Sequence, residues 1–164
     1  MSEEQPINTH TIAVLVDNEA GVLARVIGLF SGRGYNIDSL TVAEVNEDEH
    51  MSRITIVTTA TPQVINQIKA QLQRLVPVHR VVDLTVETDS VERELALVKV
   101  AGKGNDRVEA LRMSEAFRAR VIDATPESFV FEITGNTAKI DAFIGLMVPL
   151  GLQEVSRTGV AAIA

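Results

Sequence analysis

The chain has 164 residues, 46% of them hydrophobic and 23% charged, with a formal net charge of −7 and no cysteine. That apolar content can fill the core of one domain or two small ones. The acidic balance argues against nucleic acid, and the missing thiols exclude disulfides, thiolate metal sites and cysteine nucleophiles. With five Phe, one Tyr and no Trp, the core must come from Val, Ile, Leu and Ala. No apolar run approaches the roughly 18 residues of a membrane helix. Met1–His10 is polar and acidic, the reverse of a targeting peptide, so a cytoplasmic setting is expected.

Taken in chain order, Thr11–Asp17 reads as a strand that is apolar on both faces and therefore central in its sheet. Val22, Leu23, Val26, Ile27, Leu29 and Phe30 recur at helical spacing, with Gly32 and Gly34 as the stop. Ile37–Val45 is a second strand, Asn46-Glu47-Asp48-Glu49 a solvated hairpin tip, and Ser52–Thr59 a third strand. Thr61-Pro62 is an N-cap followed by a first-turn proline. The helix it starts carries Val64, Ile65, Ile68, Leu72 and Leu75 inward and stops at Pro77, and Val78–Glu87 is the fourth strand. The second half repeats this order. Arg93–Ala101 is a strand, Gly102-Lys103-Gly104-Asn105 a turn, and Asp106–Phe117 a helix of weaker periodicity. Strands Arg120–Ala124 and Ser128–Thr134 follow. Asn136-Thr137 opens a helix bearing Ile140, Phe143, Ile144, Met147 and Val148, and Leu152–Ile163 closes the chain as a strand.

The expected fold is α+β: two tandem ferredoxin-like βαββαβ domains, residues 10–87 and 91–164, joined near Glu87-Thr88-Asp89-Ser90. Two helices cover only one face of each sheet. Leu15, Leu40, Val42 and Val57 are expected to supply apolar surface that the helices do not cover, and an 80-residue domain is marginal alone. Self-association or docking on a partner is therefore expected.

The most informative stretch is Val16-Asp17-Asn18-Glu19-Ala20-Gly21-Val22-Leu23, followed by Arg33-Gly34-Tyr35-Asn36-Ile37. It is a strand, a tight turn and a helix whose first-turn N–H groups lie open beside a glycine. Such a terminus suits a small anion, and a carboxylate would fit. A plain reading stands beside this one: Asn18 as a cap, Gly21 as a turn residue and Gly34 as a helix stop. Asn18 and Asn36 fall at opposite ends of one helix, so they join in one small site only if a second copy supplies one of them. His10, His50 and His79 lack metal-ligand spacing. Gly102-Lys103-Gly104 lacks the Gly-Lys-Ser/Thr ending of a phosphate loop, and no serine has a Gly-x-Ser-x-Gly context. Catalysis by this chain alone is not supported.

Asn18-Glu19-Ala20-Gly21-Val22-Leu23-Ala24-Arg25-Val26, Gly28-Leu29-Phe30 and Arg33-Gly34-Tyr35-Asn36-Ile37-Asp38-Ser39-Leu40-Thr41-Val42 closely resemble the small, regulatory subunit of acetolactate (acetohydroxyacid) synthase. The resemblance continues through Ser52-Arg53-Ile54-Thr55-Ile56, Val91-Glu92-Arg93-Glu94-Leu95, Ile122-Asp123-Ala124-Thr125-Pro126, Lys139-Ile140-Asp141-Ala142-Phe143 and Ser156-Arg157-Thr158-Gly159. Asp17 stands where a Glu is common, and Ala119-Arg120 where a glycine-containing pair is more usual. The resemblance implies an N-terminal ACT domain, a homodimer formed through it, and no activity or cofactor in this chain. Thiamine diphosphate, magnesium and FAD would belong to a catalytic partner subunit. That partner would be activated by this chain and made sensitive to a branched-chain amino acid, usually valine. The implied effector site combines Asn18, Gly21 and Val22 of one chain with Asn36 and Ile37 of the other. The alternative is a free-standing ACT-type sensor that acts on another enzyme or regulator.

Overall fold

Asn8–Asp17 forms β1 in the computed structural model, which describes residues 5–164. The strand begins earlier than the expected Thr11 because Asn8, Thr9 and His10 stay in register with Ala60, Thr59 and Thr58. It is central, between β3 (Met51–Ala60) and β4 (Val78–Asp83), with β2 (Ser39–Asn46) on the edge beyond β3, and neighbouring strands are antiparallel. Helices α1 (Val22–Gly32) and α2 (Pro62–Gln73) cover one face. There Ile12, Val14, Val16, Ile54 and Ile56 meet Val26, Phe30, Ile65, Ile68 and Leu72 in one buried cluster. The Thr61 side chain accepts from the Val64 N–H at 3.4 Å, with Pro62 in the first turn, so α2 starts as its sequence dictates.

Strand β4 stops at Asp83 and does not run on to Glu87 as expected. Leu84–Glu87 is a single helical turn, α3. The Asp83 carboxylate accepts from the Thr85 N–H at 3.1 Å, and the Glu87 carboxylate accepts from the Asp83 N–H at 2.6 Å. This reciprocal capping satisfies donors that a strand would have left at the sheet edge.

The far face of this sheet also departs from expectation. Leu40 pairs with Ile56 and Val42 with Ile54, so both lie on the helix side, because strand parity follows the partner's register. Val57 does lie on the far face, in a small cluster with Ala13, Leu84, Val160 and Ala162. The segment Val160–Ala164 belongs to this first unit. Its Val160 N–H donates to Ser39 Oγ and its Val160 carbonyl accepts from Thr41 Oγ1, each at 2.8 Å, and the Ala162 carbonyl accepts from Arg53 Nη2 at 2.8 Å.

The second unit, Glu92–Gly159, is built from β5 (Val91–Val100), α4 (Asn105–Ala116), β6 (Arg120–Ala124), β7 (Phe129–Gly135), α5 (Thr137–Met147) and β8 (Leu152–Arg157). Its strand order, β6-β7-β5-β8, repeats β2-β3-β1-β4 of the first, so both units have the expected ferredoxin-like arrangement. Helix α4 buries only Ala110 and Ser114 fully, which explains its weak apolar periodicity. The expected last strand Leu152–Ile163 is two pieces, β8 and β9 (Ala161–Ile163). At the break Thr158 exchanges bonds with Leu95: its N–H donates to the Leu95 carbonyl at 3.0 Å, and its Oγ1 accepts from the Leu95 N–H at 3.1 Å. The side chain thus takes the place of the next ladder residue and β8 ends. Before it, Arg157 grips the buried Glu94 through two nitrogens, at 2.6 and 3.0 Å, and Asp141 at 2.8 Å.

Candidate functional site

The turn before α1 is held by the backbone. Asp17 N–H donates to the Pro77 carbonyl at 2.9 Å and Asn18 N–H to the His50 carbonyl at 2.7 Å. Gly21 then serves as the helix N-cap at φ 85°, a left-handed conformation that L side chains adopt only at a cost. Asn18 does not cap the helix, and α1 has no side-chain cap. Its side chain is exposed and takes part in no hydrogen bond among the described residues. The Val22 N–H reaches only the Glu19 carbonyl at 3.4 Å, and the Leu23 and Ala24 N–H groups have no acceptor among the described residues. No acidic residue stands in the first turn, so no side chain of α1 itself offsets the positive end of the helix dipole. A Cβ placed on Gly21 would meet nothing within 4 Å, which leaves the approach to these donors open. Together they can hold a small anion without a side-chain cation.

Of the other expected residues on this turn, Val22 sends its side chain into the core at 5% exposure, so only its backbone faces the site. Leu23 is the large apolar side chain that the turn exposes, at 37%. Helical spacing counts Leu23 among core positions, so the pattern by itself hides its exposure.

Asn36 lies beyond the other end of α1. The helix closes with Gly34 at φ 71°, the Gly34 N–H donating to the Ser31 carbonyl at 3.3 Å and the Tyr35 N–H to the Phe30 carbonyl at 2.9 Å. Tyr35 packs edge-on against Phe30, and Ile37 is half-buried against the core. Asn36 is thus pinned from both sides with its own side chain exposed. Its carbonyl accepts from Thr58 Oγ1 at 2.6 Å, and its Nδ2 donates to Asp38 Oδ1 at 2.7 Å. The second Asp38 oxygen accepts from Thr59 Oγ1, also at 2.7 Å. Asp38 and Thr59 carry no site signal in the sequence beyond the Asn-x-Asp spacing, and Thr59 meets it only through the pairing of β2 with β3.

The structure does not bring Asn18 and Asn36 together within one chain. Eleven residues of α1 separate their turns, roughly 16 Å at about 1.5 Å per residue. The histidines serve elsewhere: His10 is buried against Asp83 at 2.8 Å, and His79 Nε2 bonds Asp17. Among the described residues no group of three or more His, Cys, Asp or Glu is placed to hold a metal ion. No described helix is long and apolar enough to cross a membrane. In the Gly102-Lys103-Gly104 turn, the Leu150 carbonyl lies 2.5 Å from where a Gly102 Cβ would be, so that turn is packed rather than open.

Two family models match this chain. One describes the AHAS small subunit-like ACT domain, over residues 12–80, and the other the small subunit of acetolactate synthase, over residues 93–164. A probable acetolactate synthase small subunit of Archaeoglobus fulgidus is 46% identical over 150 residues, covering 92% of each chain. The acetolactate synthase small subunit of Aquifex aeolicus is 45% identical, over 93% of this chain and 79% of that one. The crystal structure of the acetolactate synthase small subunit from Thermotoga maritima superposes with a TM-score of 0.83 at 38% identity, over 95% of this chain and 96% of that one.

Proposed function

We propose that this chain, which belongs to the family of acetolactate synthase small subunits, activates a thiamine-diphosphate-dependent catalytic subunit and makes it sensitive to a branched-chain amino acid, valine before leucine or isoleucine. It is a regulatory subunit, with no chemistry of its own. Thiamine diphosphate, magnesium and FAD stay with the catalytic subunit, and both subunits work in the cytoplasm. The observation that carries the effector reading is the pair of half-sites at opposite ends of α1. One is a row of unpaired N–H groups beside Gly21 and Asn18, and the other is an exposed amide at Asn36. A free amino acid is only a few ångströms long and cannot span α1. In the dimer proposed here a two-fold axis sets one end of α1 against the other end of its mate, which makes the two sites equivalent. In each, the Leu23 and Ala24 amides and Asn18 of one chain receive the carboxylate, and Asn36 of the other receives the ammonium. Exposed Leu23 and half-buried Ile37 enclose the aliphatic side chain. The edge strand β2, with Val42 at 42% and Val45 at 52% exposure, offers unpaired backbone and apolar side chains for that association.

The test is an acetolactate assay of the catalytic subunit with and without this chain, across a valine titration. Activation by the chain, and inhibition that needs both chain and valine, are expected. Catalytic-subunit activity indifferent to the chain would refute the assignment.

A further inference from the structure

We propose that Asp38 is the residue that fixes which way round the effector lies, by holding the Asn36 amide with its oxygen outward. The inference rests on the two-chain effector site proposed above and adds to it the polarity of each half. An ionised carboxylate can only accept hydrogen bonds, so the group of Asn36 that faces Asp38 must be its NH₂. The 2.7 Å contact from Asn36 Nδ2 to Asp38 Oδ1 has that sense. The amide oxygen is left pointing away, as an acceptor. Asp38 is itself fixed: its N–H donates to the Val57 carbonyl at 2.8 Å, and its second oxygen accepts from Thr59 Oγ1, which in turn bonds Thr9 Oγ1 at 2.9 Å. The strand pair β1–β3 therefore sets the carboxylate, and the carboxylate sets the amide.

This half-site is an acceptor with a negative charge behind it. It attracts an ammonium and repels a carboxylate. The half-site at Gly21 has the opposite character, with unpaired N–H groups and the positive end of a helix dipole. A zwitterion fits between them in one direction only. An amide free to rotate would instead offer its NH₂ to the ligand carboxylate as readily as its oxygen to the ammonium. Asp38 is thus a positioning and specificity-determining residue.

The test is calorimetric titration of the full chain with valine and with 3-methylbutanoate, which keeps the carboxylate and aliphatic group but lacks the ammonium. For Asp38→Asn, valine affinity should fall about tenfold or more, the scale of a lost charge-assisted hydrogen bond. Its weak affinity for 3-methylbutanoate should stay level or rise. Thr59→Val keeps the charge and removes one support, and should show a smaller loss in the same direction. Equal losses for both ligands would mean that Asp38 only shapes the loop, and unchanged valine affinity that it does nothing; either overturns the proposal. Wild-type chain that binds no branched-chain amino acid would instead defeat the site reading itself, and this inference with it.

Discussion

Replacing Gly21 by aspartate changes both the backbone energy and the charge of the proposed anion half-site, and Gly21→Ala isolates the first. At φ 85° any L residue is strained, by about 1–2 kcal/mol. No steric clash adds to this, since a Cβ there meets nothing within 4 Å. Both variants should therefore fold and melt several degrees lower than wild type. Only the aspartate puts a second negative charge beside the effector carboxylate. At about 4 Å two such charges repel by about 1 kcal/mol in bulk water and by about 4 kcal/mol at the effective dielectric constant of a protein surface. Valine should then bind about fivefold to several-hundredfold more weakly to Gly21→Asp, while Gly21→Ala stays near wild type. In the acetolactate assay the aspartate variant should still activate the catalytic subunit but shift the valine inhibition curve by that factor. A folded Gly21→Asp protein with unchanged valine sensitivity would show that this helix terminus is not the carboxylate site.

Arg157→Ala should destabilise the second unit by about 3–5 kcal/mol in denaturant unfolding, because it strands the buried Glu94 carboxylate; a loss under 1 kcal/mol would refute this account of the ion pair. The Glu87 carboxyl is held below its ordinary pKa, chiefly by the bond from Lys69 and then by the Asp83 N–H. Its contribution is present above the unfolded-state pKa and is lost as pH falls through the folded one, so the stability gap between wild type and Glu87→Gln should close on acidification. A heterodimer of one Gly21→Asp chain and one Asn36→Ala chain collects both lesions in one site and leaves the other intact. Calorimetry should find about half a site of near-normal affinity per chain, whereas a site built within one chain would recover nothing.

Local patterns made the helices and most strands legible, because apolar spacing, Thr61-Pro62 and Asn136 act within a few residues of themselves. What stayed hidden depends on distant partners. The apolar run of β4 continues into Leu84, yet the reciprocal bonds of Asp83 and Glu87 turn it into a helix. The faces of Leu40 and Val42 follow from pairing with Ile56 and Ile54, and a one-residue change of register would reverse them. No local signal shows that Val160–Ala164 returns to Ser39, Thr41 and Arg53 of the first unit. At the candidate site, Asn18, Gly21 and Asn36 stand out in the sequence by residue type. The commitment of Val22 to the core and the grip of Asp38 and Thr59 on Asn36 do not.

The opposite polarity of the two half-sites bears on how such a sensor signals. A ligand changes an equilibrium only through its differential affinity for the two states. In the proposed site the carboxylate is read by one chain and the ammonium by the other, so full affinity exists only in the dimer arrangement that spaces the two half-sites to fit one amino acid. A molecule with only one of the charges has that charge read by one chain alone, and prefers one arrangement only through its apolar contacts. It therefore transmits a weaker signal even at concentrations where it occupies the site. A coupling of about 1–3 kcal/mol, the usual range, corresponds to a 5- to 150-fold change in affinity between arrangements. One charge-assisted hydrogen bond to Asn36 is of that size. The ammonium contact alone can therefore carry the feedback signal, and the aliphatic pocket need only choose among the amino acids that make it.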